Sequence, residues 1–262
     1  MNCRLCGRAL GRPYARGVLL DRQIDYFDCA QCGYIQTEQP TWLDDAYASP
    51  INASDTGILA RNGASTRSVL ATLWLLRERR STVVDYAGGY GLLVRALRDR
   101  GINALWHDAY SENLLARGFE HRGERAALVT AFEAFEHFVH PCEELDRMLS
   151  IAPNILLGTA LVPSPRPQPG EWWYFGPEHG QHIGFFRLGT LRYLAERFGL
   201  HLLSNGSGLH LLTAEKHSAA AWRLARKVAG TVPGLLTRGL VSKTEADHRA
   251  LRKAGTDRER RP

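Results

Sequence analysis

One stretch of the sequence decides the fold: Thr82-Val83-Val84-Asp85-Tyr86-Ala87-Gly88-Gly89-Tyr90-Gly91. Its first residues are mostly β-branched and favour a strand, and the glycines that follow allow a tight turn. The next segment, 92–98, has the apolar spacing of a helix. A second short strand over 104–107 ends in Asp108. The order of strand, glycine-rich turn, helix and strand predicts a βαβ unit and therefore a parallel sheet.

Composition limits the class of protein. The chain has 262 residues, of which 44% are hydrophobic, as expected for a soluble α/β domain with appendages. No apolar run reaches the roughly 20 residues that a membrane helix needs, and the N-terminus lacks the apolar core of a signal peptide. We therefore expect a cytoplasmic protein whose cysteines are reduced.

The formal net charge of +6 is unevenly distributed along the chain. Residues 216–262 carry 12 Lys and Arg against 4 Asp and Glu, whereas residues 1–215 carry 21 against 23. The body of the protein is therefore nearly neutral. It offers no positive excess to follow a phosphate backbone, which argues against nucleic acid as a partner.

Two cysteine pairs lie near the N-terminus. Cys3 and Cys6 form one C-x-x-C pair, Cys29 and Cys32 form a second, and a glycine follows each pair. This spacing predicts a ribbon in which the four thiolates bind one structural Zn²⁺. Two disulfides or free thiols are the alternatives, and disulfides are disfavoured in a reducing compartment.

The remaining pattern divides the chain into segments. We expect a zinc ribbon over 1–40, a connector over 41–61, an α/β domain over 62–215 and a basic, partly helical tail over 216–262. Inside the α/β domain, 162–184 is predicted to be a long irregular loop whose aromatic residues line a pocket. A hairpin over 200–212 is expected to end the domain.

The spacing Asp85-x-Ala87-x-Gly89-x-Gly91 resembles the first motif of class I S-adenosylmethionine (SAM) methyltransferases, which have glycine where Ala87 stands. The resemblance covers about residues 60–215 and implies a Rossmann-like, mostly parallel sheet of seven strands with helices on both faces. A cysteine ribbon ahead of such a domain is similar to the deoxysugar C-methyltransferases. The resemblance therefore implies a SAM-dependent methyltransferase that acts on a sugar, a sugar nucleotide or a glycan intermediate.

The resemblance also implies roles for individual residues. Asp108, at the end of its strand, would bind the ribose of SAM, and Glu133 would stand beside the cofactor. His137 would act as general base, with Glu136 as the group that orients it. The residues expected to line the amino-acid end of SAM are Asp85, Ala87, Gly88, Gly89 and Gly91.

A second interpretation of the same loop involves a metal ion. The spacing Glu133-x-x-Glu136-His137 resembles the metal site of small-RNA 2′-O-methyltransferases, which would take Mg²⁺ or Mn²⁺. Such sites take a further histidine from a later loop, where this chain has His179 and His182. An ion held there would lower the pKa of a bound hydroxyl. The base and metal versions both remain open at this stage.

Two other functions compete with a small-molecule methyltransferase. The ribbon and the basic tail favour an RNA methyltransferase, and the fold is also compatible with a non-catalytic SAM-binding module. The tail itself is expected to be an appendage to the fold. Its apolar Trp222, Leu224 and Val228 beside Arg223 and Lys227 predict an amphipathic basic helix suited to an anionic membrane surface, with a solvated helix as the alternative.

Overall fold

The computed structural model describes residues 1–48 and 56–259, with side chains in the last helix described to residue 253. Part of the predicted connector, 49–55, lies outside the described residues. The strands are β1 (Ala15–Leu19), β2 (Arg22–Asp28), β3 (Ile35–Thr37), β4 (Thr82–Tyr86), β5 (Asn103–His107), β6 (Leu128–Phe132), β7 (Asn154–Gly158), β8 (Gly184–Phe185), β9 (His201–Ser204) and β10 (Leu209–Thr213). The α-helices are α1 (Leu43–Ala46), α2 (Ile58–Leu76), α3 (Leu92–Arg98), α4 (Pro141–Ile151), α5 (Leu188–Arg197), α6 (Ala219–Thr231), α7 (Pro233–Leu236) and α8 (Thr244–Glu259). Over the described ranges, none of these helices has the length and apolar character needed to cross a membrane.

The larger sheet confirms the predicted α/β class. Its strand order is β5-β4-β6-β7-β10-β9. β4 runs parallel to β5 and β6, with Asp85 opposite Trp106 on one side and Thr130 on the other. β10 runs antiparallel to β7 and β9. The buried, β-branched character of β4 is what a strand covered on both faces requires.

The sheet has six strands rather than the seven expected. Beyond β5, the described chain makes only a single parallel bridge, between Trp106 and Glu120. Gly118 and Gly123 lie on either side of this bridge with left-handed φ angles of 85° and 104°. Because a left-handed residue turns the chain out of the extended conformation, pairing stops after one residue.

The predicted hairpin at the end of the α/β region is confirmed. β9 and β10 are antiparallel neighbours, joined by a turn at Asn205. The Asn205 side-chain oxygen accepts hydrogen bonds from the backbone N–H groups of Ser207, Gly208 and Leu209 at 2.9–3.0 Å. The asparagine therefore fixes the turn by replacing backbone acceptors, as this residue type does in tight turns.

The smaller sheet joins the ribbon to a much later segment of the chain. Its strand order is β1-β2-β3-β8, and the antiparallel pair β3 and β8 places Ile35 opposite Phe185. Phe175, from the aromatic loop, packs on Tyr26 and Phe185 with ring centroids 5.3 and 4.8 Å away. These aromatic residues therefore form a core with the ribbon sheet rather than the lining of a pocket, whereas Trp173 remains 76% exposed.

The chain divides by internal contacts into two compact units. The first comprises Met1–Asp55 and Ala131–Lys216, and the second comprises Thr56–Thr130 and His217–Pro262. The C-terminal helices therefore belong to the second unit, which differs from the expected appendage.

The C-terminal segment belongs to this unit because the apolar face of α6 packs on α2. Trp222 is buried, and its indole N–H donates a hydrogen bond to Thr72 Oγ1 of α2 at 3.2 Å. Further along, Asp247 of α8 forms a buried ion pair with Arg98 of α3. Trp222 of the predicted amphipathic pattern is thus used in packing, whereas Leu224 stays exposed.

Candidate functional site

The glycine-rich loop after β4 has a left-handed backbone at three positions. Ala87, Gly89 and Gly91 have φ angles of 61°, 52° and 85°. An L residue in this region costs about 1–2 kcal/mol, which is the physical reason to prefer glycine where Ala87 stands. Gly91 also lacks room for a side chain, because a Cβ atom there would lie 2.8 Å from Ala116 Cβ.

Asp85 lies buried at the base of this loop. One of its carboxylate oxygens accepts a hydrogen bond from Thr130 Oγ1 at 2.7 Å. Burial raises the pKa of Asp85 to about 7, the Thr130 hydrogen bond opposes the rise, and the charge of Asp108 adds to it. The side chain is therefore divided between its charged and neutral forms near neutral pH.

Asp108 organises the loop around its carboxylate. It accepts backbone N–H hydrogen bonds at 2.8 Å from Gly89, Tyr110 and Ser111. Trp106 adds a hydrogen bond from its indole N–H to the Gly89 carbonyl oxygen at 2.8 Å, a contact that the sequence did not indicate. A carboxylate has about four lone-pair positions, so about one remains for a ligand hydroxyl. The loop and Asp108 therefore fit the amino-acid and ribose ends of SAM, and this assignment stays a proposal.

The four cysteines of the ribbon converge as a zinc site requires. The Sγ atoms of Cys3 and Cys32 lie 3.6 Å apart, those of Cys6 and Cys29 lie 3.5 Å apart, and all four fall within 4.8 Å of one another. Tetrahedral Zn²⁺ with bonds of about 2.3 Å needs sulfur atoms about 3.8 Å apart. All four cysteines are free thiols. The donor set therefore fits Zn²⁺, which these residues would hold as a structural ion.

Glu136 is fully buried in a cluster of polar side chains. Its Oε1 accepts a hydrogen bond from the Tyr174 hydroxyl at 2.5 Å, and that hydroxyl accepts one from the Ala160 N–H at 3.1 Å. Its Oε2 is buried, and no residue in the described ranges forms a hydrogen bond with it. Burial raises the pKa of Glu136 to about 7, and the Tyr174 hydrogen bond opposes the rise. Tyr174 therefore holds one carboxylate oxygen of Glu136, and the other oxygen lacks a hydrogen-bond donor among the described residues.

His137 has a different orienting group from the one expected. Its Nδ1 lies 2.9 Å from the hydroxyl of Tyr47, which is 90 residues away in sequence and was predicted only as an anchor of the connector. Burial lowers the pKa of His137 well below its ordinary value, and the neighbouring His182 and His179 act in the same direction. The imidazole is therefore neutral at neutral pH and able to accept a proton.

The group that can hold a metal ion differs from the predicted one. Glu136, His137 and His182 each offer one ligand atom, and these atoms lie within 4.8 Å of one another. Glu133 stays outside this group: it is exposed, its φ is 50°, and its N–H donates to the Gly158 carbonyl oxygen at 2.8 Å. The structure therefore leaves Glu133 out of the predicted set and selects His182 as the later histidine. His179 is also outside the group, although its ring centroid lies 4.7 Å from that of His182.

Comparisons with known proteins were made for both sequence and structure. The family described as "Methyltransferase domain" matches residues 60–205. No curated protein matches the sequence.

Two solved structures illustrate the structural likeness. The chain is similar to 1,6-didemethyltoxoflavin-N1-methyltransferase from Burkholderia thailandensis, bound to 1,6-didemethyltoxoflavin and S-adenosylhomocysteine. The identity is 15%, the match covers 79% of this chain and 100% of that chain, and the TM-score is 0.51. It is also similar to magnesium protoporphyrin IX methyltransferase from Synechocystis PCC 6803 with bound S-adenosylhomocysteine, at 13% identity over 67% of this chain and 96% of that chain, with a TM-score of 0.43. Similarity at identities this low shows a shared fold and does not extend to substrates or to individual residues.

Proposed function

The chain belongs to the methyltransferase-domain family and is a SAM-dependent methyltransferase, and from this premise we propose that it methylates a small molecule: a sugar, a sugar nucleotide or a glycan intermediate. SAM supplies an activated sulfonium methyl group, so the protein has to bind the cofactor, align the acceptor atom and remove its proton. The small heterocycle bound by the Burkholderia thailandensis enzyme supports an acceptor of this size.

The observation that carries the proposal is the buried cluster around His137. A binding module has no need to bury a carboxylate oxygen without a partner beside a neutral imidazole held by a tyrosine. A methyltransferase that acts on an alcohol or carbon acid needs a group that takes the acceptor's proton. We assign this role to His137, with Tyr47 as its positioning residue. In the metal version the same imidazole is a ligand of the ion that lowers the acceptor's pKa.

A sugar acceptor is supported by two features of the first unit. Trp173 exposes most of its indole beside Tyr174, whose hydroxyl holds Glu136; the two ring centroids are 5.2 Å apart. A flat aromatic surface of this kind packs well against the C–H face of a sugar ring. The cysteine ribbon that precedes the methyltransferase domain, as in the deoxysugar C-methyltransferases, points to the same class.

An acceptor screen tests the proposal directly. Purified protein is incubated with methyl-labelled SAM and pools of sugars, sugar nucleotides, other small metabolites and RNA, and products are identified by mass spectrometry. We expect label in a sugar-containing fraction. His137→Ala should lower turnover by a factor of about 10² or more with SAM affinity unchanged. His140→Ala, in the same loop but with its imidazole exposed, is the matched control and should retain parental turnover.

Other outcomes of the screen would point to the competing functions. Label in RNA would identify an RNA methyltransferase, against which stands the net negative charge of residues 1–215. SAM binding without transfer to any pool would identify a binding module. Parental turnover in His137→Ala would remove the proposed role of this residue in either version.

The predicted membrane contact also stays a proposal. Residues 216–244 carry six Lys and Arg and no acidic residue, and Leu224, Val232 and Leu235 are exposed. Cations interleaved with exposed apolar side chains suit an anionic lipid surface. Co-sedimentation with vesicles that contain phosphatidylserine, but not with neutral ones, would support this contact, and no binding to either would contradict it.

A further inference from the structure

We propose that Glu136, His137 and His182 bind one divalent transition-metal cation of the Mn²⁺, Fe²⁺ or Zn²⁺ type, separate from the ribbon zinc. The role of the cation in activating an acceptor rests on the proposed function. The site itself rests on the side chains described below.

Three ligand atoms converge from two distant parts of the chain. Glu136 and His137 lie in the turn after β6, and His182 precedes β8. The ring centroids of His137 and His182 are 4.8 Å apart, and one ligand atom from each of the three residues falls within 4.8 Å of the others. Two metal–ligand bonds of about 2.1 Å at angles of about 90–109° place the ligand atoms about 3.0–3.4 Å apart, so the widest pair closes by about 1.8 Å or less. A change of this size lies within ordinary side-chain torsional freedom.

The carboxylate is oriented so that one oxygen remains available. The Tyr174 hydroxyl donates to Glu136 Oε1, whereas the buried Oε2 has no hydrogen-bond partner among the described residues. A buried polar atom that lacks a partner costs free energy, and a cation would supply the missing interaction. Held by a tyrosine on one oxygen, the carboxylate has the outer-shell support typical of a metal ligand.

Both imidazoles are held through Nδ1, as metal-binding histidines usually are. His182 Nδ1 lies 2.6 Å from the Tyr174 carbonyl oxygen, which only accepts, so Nδ1 carries the proton and Nε2 carries the lone pair. His137 Nδ1 lies 2.9 Å from the Tyr47 hydroxyl, which leaves Nε2 as its ligand atom when Nδ1–H is the donor. The bond to the carbonyl oxygen fixes both the tautomer and the orientation of His182, and the bond to the hydroxyl fixes the orientation of His137.

The ligand types select the metal. Mg²⁺ prefers oxygen ligands and retains water, whereas two imidazoles and one carboxylate suit Mn²⁺, Fe²⁺ or Zn²⁺. Of the expected Mg²⁺ and Mn²⁺, this set favours Mn²⁺, because Glu133 lies outside the group. Three protein ligands leave coordination positions open, as catalytic sites do. An acceptor hydroxyl that enters one of these positions would have its pKa lowered by the ion.

Cobalt loading tests the site on the full-length protein without SAM or acceptor. The protein is stripped of metal, reloaded with Co²⁺ and freed of excess ion, and bound cobalt is counted per chain. We expect about two equivalents, one in the ribbon and one in the cluster. Thiolate-to-cobalt absorption reports the ribbon ion, while nitrogen and oxygen ligands give only weak visible bands. The ribbon absorption therefore also shows that each variant retains a folded N-terminal region.

Variants give the discriminating result. Glu136→Gln and His182→Ala should each lose the second equivalent and keep the ribbon absorption, whereas His179→Ala should keep both equivalents. His179 is the matched control, since its imidazole lies beside His182 but outside the ligand group. About one equivalent in the parent protein would overturn the proposal, as would two equivalents in both ligand variants.

The metal site and the proposed function fail in different ways. Two bound ions with no methyl transfer to any acceptor would remove the function and leave the site. Parental turnover by protein that retains only the ribbon ion would remove the cation's role in activating the acceptor and leave both the methyltransferase and the site.

Discussion

Asp247 offers the sharpest test of how the C-terminal segment belongs to the fold. Its carboxylate forms a two-point ion pair with Arg98, at 2.7 and 2.8 Å, and their side chains are 6% and 7% exposed. Asp247→Asn keeps the shape and removes the charge, which leaves the Arg98 guanidinium buried without its counterion. Breaking a buried pair from one side costs about 3–5 kcal/mol.

A surface pair of the same chemistry provides the control. Arg16 and Asp25 also meet at 2.7 Å, but their side chains are 65% and 22% exposed. Solvent screens this pair, so Asp25→Asn should cost about 1 kcal/mol or less. The difference in cost between the two substitutions therefore measures how burial changes the contribution of an Arg–Asp pair to stability, since distance and residue types are the same.

Urea denaturation at neutral pH, followed by circular dichroism, measures both effects. We expect a lower midpoint for Asp247→Asn at an unchanged denaturant slope. The double variant Arg98→Met with Asp247→Leu should recover much of the loss, because it leaves no buried charge unpaired. Equal small costs for Asp247→Asn and Asp25→Asn would refute the packing of α8 on α3.

The pH dependence of the same variant has a defined sign. Burial acts to raise the pKa of Asp247, but the hydrogen bonds from Arg98 and Arg95 prevail and hold it below its ordinary value. A carboxyl with a depressed pKa stabilises the fold above its unfolded-state pKa of about 3.9 and loses this contribution as pH falls below it. The stability difference between parent and Asp247→Asn should therefore shrink below about pH 4.

Three further predictions concern the candidate sites. Gly91→Ala should cost about 2 kcal/mol or more in unfolding free energy and weaken SAM binding in calorimetry, because the left-handed φ and the close Ala116 both oppose a Cβ atom. Gly63→Ala lies in the interior of α2, where a Cβ atom would meet the Arg67 side chain at 3.6 Å without a clash, so it should be neutral or stabilising. Equal effects of the two substitutions would contradict the steric argument. The contribution of Asp85 to stability should fall as pH rises from about 4 to about 7, since burial raises its pKa and the folded state keeps a proton that the unfolded state has lost. The stability of the parent relative to Asp85→Asn should therefore fall over this range in denaturation measured across pH, and a constant difference would exclude this contribution. Replacing both Cys3 and Cys29 by serine should remove about one equivalent of bound zinc in metal analysis, and an unchanged metal content would exclude the ribbon site.

Local rules explain the features that sequence analysis predicted well. The strand and turn of 82–91 and the Asn205 hairpin each depend on residues close together in the chain, so backbone preferences alone indicate them. The C-x-x-C pairs are also local, and their spacing indicated the convergence of sulfur atoms that the structure shows. The zinc itself stays a prediction.

The helical periodicity of the C-terminal segment led to a wrong expectation, because the sequence does not show what packs against the apolar face of the helix. The helix over 219–231 is amphipathic, as the sequence indicated, but an apolar face predicts burial without saying what covers it. Here α2 covers Trp222, so the pattern reflects packing within the second unit. The expectation of seven strands came from the family resemblance. It did not consider Gly118 and Gly123, whose left-handed conformations limit pairing beside β5 to one bridge.

The candidate active site shows most clearly what each level of information decides. The sequence by itself determined a methyltransferase fold, a glycine-rich turn after β4 and a Glu136-His137 turn, since each is a short pattern with a fixed local geometry. Only the tertiary structure brought Tyr47 to His137 and His182 to Glu136, and turned Glu133 away from them. Contacts between residues 46 to 90 positions apart depend on how whole sheets and loops pack, and no local spacing records that packing.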